Sequence, residues 1–460
     1  MAKIGYLPLY VEMYDKNSPK IRPRINAFCA EISELLKGQG NEVISADVCR
    51  LESEFETAIA LFEKENVDCI VTLHLAYSPS LESCSILAKT TLPILVLDTT
   101  PTFCFDYNTN SAEIMHNHGI HGVQDMCCML RRLKKEYSVF AGHYLQSNVI
   151  NEISNAAKAI SSARKLKNGI KVGMIGKPFA GMGDFVVEET LLKDLGITKV
   201  LCDGNDLANI VESIDEKDVV AEFENDKKIC DVGDIDFEYY KGAGKVSLGV
   251  RKWIQDNAID GFTINFQSVG EMKGLTKMPF TEASKAMARG TGYAGEGDVL
   301  TAGLCSVFLS NFAKTGFMEM FCPDWENGSI FMSHMGEFNL NLMEGKKMIK
   351  NAFKFAKDAE TVVITGHSKG GKCCLVNITP NAENGFDLIF VDGEMLQLPE
   401  KIGSLSNSIS GWFKPQTELK EMLATYSECG GTHHSIIVYD AEAKSLKEFA
   451  KQLKLNYKVI

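Results

Sequence analysis

Residues 290–304 read G-T-G-Y-A-G-E-G-D-V-L-T-A-G-L, a glycine-bracketed turn that leads into a helix. Gly295 and Gly297 supply the positive-φ freedom that a tight turn needs, and Asp298 stands where the N-cap of the next helix belongs. Leu300, Leu304, Val307, Phe308 and Phe312 then recur at helical spacing, so the helix is predicted to be buried, with Glu296 held at its N-terminal mouth. Taken alone, Glu296 reads first as a charge that complements a helix dipole.

Three later segments change that reading. F-M-E-M-F sets Glu319 between Met318 and Met320, S-I-F-M-S-H-M-G-E sets His334 at the end of an apolar run, and E-C-G-G-T-H-H-S-I-I-V sets His433 and His434 on a glycine-opened turn before a strand. Burying an unpartnered polar group costs roughly 2–7 kcal/mol, and a charge more, so polar residues in such apolar frames imply a shared partner. A divalent metal ion is the economical one.

The series A-G-E-G-D, F-M-E, S-H-M and G-T-H-H resembles the metal-site series of the L-arabinose isomerases, within the L-arabinose/L-fucose isomerase superfamily. The resemblance extends upstream through G-I-H-G-V-Q-D around His121, V-F-A-G-H at 139–143 and G-F-T-I-N-F at 261–266, and so spans essentially the whole chain. It implies Glu296, Glu319, His334 and His434 as metal ligands and the two glutamates as the acid/base pair. It further implies that Phe266 and Met182 line the sugar pocket, and that His121 reaches a neighbouring subunit's active site in a homo-oligomer, a trimer or hexamer. His433 is left as a structural or supporting residue. A mixed N/O ligand set with spare positions suits a six-coordinate ion such as Mn²⁺ or Co²⁺, with Zn²⁺ also compatible, and leaves room for two adjacent sugar oxygens. Polarising the carbonyl stabilises an enediolate while a carboxylate moves the proton between C1 and C2, which is aldose–ketose isomerisation.

Two departures bear on the sugar. The arabinose isomerases open with G-S-Q-x-L-Y where this chain has G-Y-L-P-L-Y-V-E-M-Y at 5–14, and Val299-Leu300 replaces their Trp-Lys. The expected substrate is therefore an arabinose-like pentose or a related, modified aldose. The L-fucose branch proper is set apart by an aspartate where this chain has Glu319.

Composition agrees with a small neutral ligand. The 460 residues set a prior of about three domains, and 45% hydrophobic with 23% charged residues is an ordinary globular balance. A net charge of −12 without basic runs argues against nucleic-acid or anionic-membrane partners. The 14 cysteines have neither disulfide-framework nor zinc-ribbon spacing, and the start lacks a signal-peptide pattern, so a reduced, cytoplasmic protein is expected.

The predicted fold class is α/β, two doubly wound parallel-sheet domains followed by a mainly antiparallel, barrel-like C-terminal domain, with boundaries at 1–167, 168–318 and 319–460. Short apolar runs such as K-I-G-Y-L-P-L-Y, C-I-V-T-L-H-L and L-P-I-L-V-L-D alternate with helices predicted near 22–37 and 52–65. The N-H-G-I-H-G segment holding His118 and His121 reads as a solvated loop. After I-K-V-G-M-I-G, the G-K-P-F-A-G-M-G-D-F loop lacks phosphate-cradle spacing but sits where a ligand-facing loop of a parallel sheet belongs. Beyond Glu319, short strands such as T-V-V-I-T-G and D-L-I-F-V-D lack long helices between them.

A rival reading uses G-H-S-K-G as a nucleophile elbow, with Ser368, Asp392 and His434 in the order of an α/β-hydrolase. No oxyanion segment precedes it, and K-C-C-L-V-N-I-T-P is too β-branched for the required helix. A third reading, a sugar-binding homologue without catalysis, is disfavoured because all four expected ligands are retained.

Overall fold

The computed structural model describes residues 1–352, 360–399, 405 and 407–460. The chain forms two compact units, Met1–Arg164 with Lys444–Gln452, and Lys165–Ala443 with Leu453–Ile460.

The first unit is built on a parallel sheet of β1 (Lys3–Leu9), β2 (Glu42–Ser45), β3 (Cys69–His74), β4 (Ile94–Asp98) and β5 (Tyr137–Ala141), ordered β2-β1-β3-β4-β5. β1 and β3 are almost entirely buried, as near-continuous apolar strands covered on both faces must be. On one face Tyr6, Val71 and Leu73 pack with Phe28 and Ile32 of the helix Arg22–Gly38 and with Ile153 and Ile160 of Val149–Lys167. On the other, Leu7 and Ile70 meet Phe55 and Phe62 of Glu52–Lys64 and Met126 of Gly119–Arg132. That is the doubly wound arrangement expected from the alternating pattern.

The segment around His118 and His121 differs from the expected loop. It forms a short helix, Ile114–Asn117, and the first turn of Gly119–Arg132. Val123, Met126 and Leu130 recur at helical spacing and are buried, which draws the preceding glycines into the helix. Gly122 is there for close approach: a Cβ would stand 2.4 Å from the His74 ring.

The second unit begins with a parallel sheet of β6 (Ile170–Ile175), β7 (Ile197–Leu201), β8 (Gly261–Ile264) and β9 (Gly292–Gly295), ordered β7-β6-β8-β9. There follow β10 (Thr315–Asp324), β11 (Ser329–Ser333), β12 (Met343–Ala352), β13 (Glu360–Ser368), β14 (Gly371–Pro380), β15 (Phe386–Met395), β16 (Ile409–Pro415), β17 (His434–Tyr439) and β18 (Asn456–Val459). The run β16-β11-β10-β17-β14-β15 closes on itself through a β15–β16 pairing and forms an antiparallel barrel. Its interior holds Met318, Ile330, Met332, Leu375, Phe413 and Ile437. Because side chains alternate along a strand, Glu319 lies on the opposite face from its neighbour Met318. A helix of moderate length, Leu419–Glu428, also stands between β16 and β17, where no long helix was expected.

The predicted helix after Asp298 spans Val299–Leu309, and every residue in it is buried. It packs on β8 and β9 and also on β10, β14 and β17. This is why its apolar residues cover all faces.

Candidate metal centre

The turn after β9 is fixed by its backbone. Gly295 pairs with Ile264 of β8, Glu296 N–H donates to the Ile264 carbonyl at 3.0 Å, and the Glu296 carbonyl accepts from Phe179 N–H at 2.8 Å. Thr263 Oγ1 accepts from Gly297 N–H at 2.9 Å. Glu296 itself has φ 63°, a left-handed conformation that costs a non-glycine residue energy and persists where surroundings enforce it. Asp298 caps the helix by accepting from Thr301 N–H at 2.8 Å. Gly297 takes the expected positive φ, 90°, but Gly295 does not; it is glycine for a reason of packing, since a Cβ there would meet the His334 ring at 2.8 Å. The carboxylate thus sits at the carboxyl end of a parallel sheet, where α/β folds place ligands.

The barrel supplies the facing groups. Glu319 on β10 is registered opposite His434 on β17 and Ser333 on β11, so His334 follows directly. Glu319 Oε1 lies 3.1 Å from His334 Nε2 and 2.9 Å from His434 Nε2. Each imidazole is gripped at its other nitrogen: His334 Nδ1 hydrogen-bonds Glu337 Oε2 at 2.5 Å, and His434 Nδ1 hydrogen-bonds Asp298 Oδ2 at 2.9 Å. Glu337 is held in turn by Tyr293, whose hydroxyl donates to Oε1 at 2.7 Å. Phe317 presents its edge to both imidazoles, with ring centroids 4.7 and 4.9 Å away, and Phe185 stacks on His434 at 5.1 Å.

His434 is completely buried, and its Nε2, though 2.9 Å from Glu319, makes no aligned hydrogen bond among the described residues. The contact is short but not aligned along the ring nitrogen's axis. With Nδ1 committed to Asp298, that buried Nε2 has the environment of a ligand nitrogen whose tautomer is set by a carboxylate behind it. The electrostatics agree. Burial alone would raise the Glu319 carboxyl, but the two imidazoles outweigh it and hold it well below the usual carboxylate range. Burial likewise disfavours a charged His334, yet Glu337 and Glu319 drive its pKa well up; at His434 burial again opposes the charge, and Asp298 and Glu319 raise the pKa.

On the other side stands His433. Its Nε2 lies 3.7 Å from Glu296 Oε2, and its Nδ1 and backbone N–H both bond Asp184 Oδ2, at 2.6 and 3.0 Å. Burial lowers its pKa, but Glu296 and Asp184 prevail and push it up to about 9. Ligand atoms of Glu319, His334 and His434 lie within 4.8 Å of one another, as do those of Glu296, His433 and His434. His434 has one nitrogen to offer, so the two trios are two sides of one centre.

The sequence thus led to residues that the fold brings together: Glu296, Glu319, His334 and His434, with His433 joining them. Phe266 packs on Phe179 of the loop after β6, with centroids 5.3 Å apart, and Met182 is half-buried in that same loop. His121 belongs to the first unit, where it is exposed and bonded to His118 at 2.7 Å. The hydrolase triad does not form. Ser368 ends β13 and is followed by β14 rather than a helix, its buried hydroxyl makes no well-formed hydrogen bond among the described residues, and Asp392 accepts from Ala443 N–H while His434 Nδ1 is held by Asp298. Sequence reasoning missed Asp184, Tyr293 and Glu337, and saw Asp298 as a cap alone. The i, i+3 spacing of His334 and Glu337 was the available signal for one of them.

This mixed α/β chain sets imidazoles backed by carboxylates around a shared glutamate, a donor set of the kind that suits a divalent ion. The chain matches the family model of the L-arabinose isomerase central domain over residues 190–312 and that of the L-arabinose isomerase C-terminal domain over 314–456. These matches together span more than half of its length, and the chain belongs to the L-arabinose isomerase family. Similar proteins include L-arabinose isomerase 1 of Clostridium acetobutylicum, 24% identical over 80% of this chain and 77% of that one. The L-arabinose isomerase of Shouchella clausii is 24% identical over 88% and 85%, and that of Klebsiella pneumoniae 22% identical over 87% and 82%.

Proposed function

We propose that the protein is a metal-dependent aldose–ketose isomerase acting on a free sugar, an arabinose-like pentose or a related modified aldose, through an enediolate. The observation that carries this reading is the convergence of the His334 and His434 Nε2 atoms on Glu319, each imidazole backed by its own carboxylate. Glu296, Glu319, His334 and His434 are the proposed ligands of Mn²⁺, with Co²⁺ able to replace it. The orphaned His434 Nε2 and the mixed N/O set fit such an ion. A bound divalent ion would polarise the sugar carbonyl and offset the charge that develops on its oxygens. Glu296 and Glu319 move the proton between C1 and C2, one as base and one as acid. Asp298 and Glu337 orient the imidazoles, while Phe317 and Phe185 keep water from them. Phe266 and Met182 face the sugar in this reading. His121 serves the site of a neighbouring subunit in a closed homo-oligomer, a trimer or hexamer, working in the cytoplasm. No helix among the described residues is long and apolar enough to cross a membrane.

The test is a panel of pentoses, hexoses and modified aldoses assayed for ketose formation with Mn²⁺, before and after exhaustive chelation. We expect turnover of at least one aldose, its loss on chelation and its return with Mn²⁺. Full activity in the chelated enzyme, or no ketose from any member of the panel, counts against the proposal.

A further inference from the structure

The Glu296 backbone is locked, but the direction of its carboxylate is a separate matter. Among the described residues its ion-pair partner is His433, whose Nε2 lies 3.7 Å from Oε2. His433 is gripped at two points by one oxygen: Asp184 Oδ2 takes both the backbone N–H, at 3.0 Å, and Nδ1, at 2.6 Å. A backbone bond and a ring bond to the same atom fix the rotation of the imidazole and leave Nε2 aimed at Glu296. Asp184 comes from the loop after β6, the same loop whose Phe179 N–H binds the Glu296 carbonyl and whose Phe185 stacks on His434. The loop therefore touches the centre through backbone, ring and carboxylate.

Resting on the isomerase reading above, we propose that Asp184 and His433 are a positioning pair that aims the Glu296 carboxylate. His433 bonds behind Glu296 rather than binding the ion, and Asp184 acts through His433. The pattern repeats the carboxylate-backed imidazoles of His334 and His434 with one change. Those two converge on Glu319, so their Nε2 atoms are ligand nitrogens. His433 Nε2 pairs with Glu296 instead, at 3.7 Å, a distance that suits an ion pair, although its ligand atom also stands within 4.8 Å of one of His434's. A structural staple between loop and turn would use the same Asp184 contacts but would leave kcat untouched, so kinetics separates the two roles.

The experiment compares His433→Ala, His433→Gln, Asp184→Ala, Asp184→Asn and the Asp184→Ala/His433→Ala double variant with Glu296→Gln, as Mn²⁺-loaded full-length proteins. Readouts are kcat and KM for the panel aldose turned over fastest, Mn²⁺ content by mass spectrometry, melting temperature, and a crystal structure of the His433→Ala protein. Supporting residues of this kind typically contribute about 10- to 100-fold, so kcat of His433→Ala should fall in that range with KM and Mn²⁺ content near wild type. His433→Gln, which can place an amide N–H near the Nε2 position, should recover most of the loss, and Asp184→Asn should outperform Asp184→Ala. The double variant should be no worse than His433→Ala, since residues acting through one another are not additive. In the crystal the Glu296 carboxylate should be displaced or split while Glu319, His334 and His434 stay in place. Loss of Mn²⁺ in both His433 variants would make His433 a ligand and overturn the proposal. So would multiplicative losses in the double variant, an unmoved Glu296, or unchanged kcat with only a lowered melting temperature. Should Glu296→Gln itself turn over normally, the assignment of the centre fails instead, an outcome distinct from all of these.

Discussion

Both units carry histidines at or next to the end of a strand, and the two sets have opposite surroundings. In the second unit His334, His433 and His434 each have a carboxylate at Nδ1 and face another carboxylate with Nε2. In the first, His74 at the end of β3 is buried with neither ring nitrogen hydrogen-bonded among the described residues, and burial pushes its pKa down to about 3. Its ring packs so closely on Gly122 that a Cβ there would stand 2.4 Å away. The difference teaches that a buried imidazole signals a site when oriented carboxylates make it basic. An imidazole enclosed without partners is a neutral core residue.

The sharpest way to break this contrast is to remove the charges around the centre. Glu296→Gln and Glu319→Gln keep size and packing but cannot carry the proton. General acid–base catalysis contributes on the order of 10²–10⁴-fold, and we expect each variant to lose at least that in kcat while remaining folded. Mn²⁺ binding should weaken as well, measured by metal content after dialysis. Near-wild-type turnover in both variants would show that the constellation is not the active site.

A smaller effect is expected one bond further out. Glu337→Gln leaves His334 in place but takes the charge from behind it, and the loss of such a partner lowers metal affinity by about 10–100-fold. Calorimetric titration of the metal-free enzyme with Mn²⁺ measures this directly. Unchanged affinity would mean that the His334–Glu337 bond is structural, like those of the core.

How far the sequence could carry this contrast follows from the residues. The turn at Glu296 was legible because glycine, N-cap and helical periodicity are local, and Glu319 and His334 because each interrupts an apolar strand. Asp184 and Glu337 were not, since a carboxylate in a polar loop looks solvated until the fold shows what it touches. The partnership of Glu319 with His434 is a cross-strand register between distant segments, which no local pattern encodes. The helix at Gly119–Arg132 was missed because its opening glycines read as breakers, whereas Gly122 is required by the ring of His74.

His74 offers a test on the other side of the comparison. Its folded-state pKa of about 3 lies below the ordinary 6.5, so the unfolded chain binds the proton more readily. Its contribution to stability is therefore full above about pH 6.5 and declines as pH falls toward 3. Replacing it by leucine, His74→Leu, removes that proton uptake. The fall in melting temperature between pH 7.5 and 5 should be smaller in the variant than in wild type, with catalysis at neutral pH little changed. An identical fall in both proteins would mean that His74 already has a partner that stabilises its charged form.

The smallest effect is expected at Ser368. It lies at the end of β13, its buried hydroxyl makes no well-formed hydrogen bond among the described residues, and a Cβ on Gly411 would come within 2.3 Å of its Oγ. A serine nucleophile needs an imidazole within hydrogen-bond reach and a sharp strand-to-helix turn that presents it to substrate. Here the strand runs into β14, and His434 is committed to Asp298 on one side and faces Glu319 on the other. Removing an unpartnered buried hydroxyl takes away a desolvated polar group and creates a void no larger than one oxygen, two small terms of opposite sign. Ser368→Ala should therefore keep isomerase activity within a few-fold of wild type and shift the melting temperature little, and Ser368 should not react with a fluorophosphonate probe. Labelling of Ser368, or a loss of orders of magnitude in a well-folded variant, would put the barrel's own chemistry back in play and erase the contrast between a partnered centre and unpartnered core polar groups.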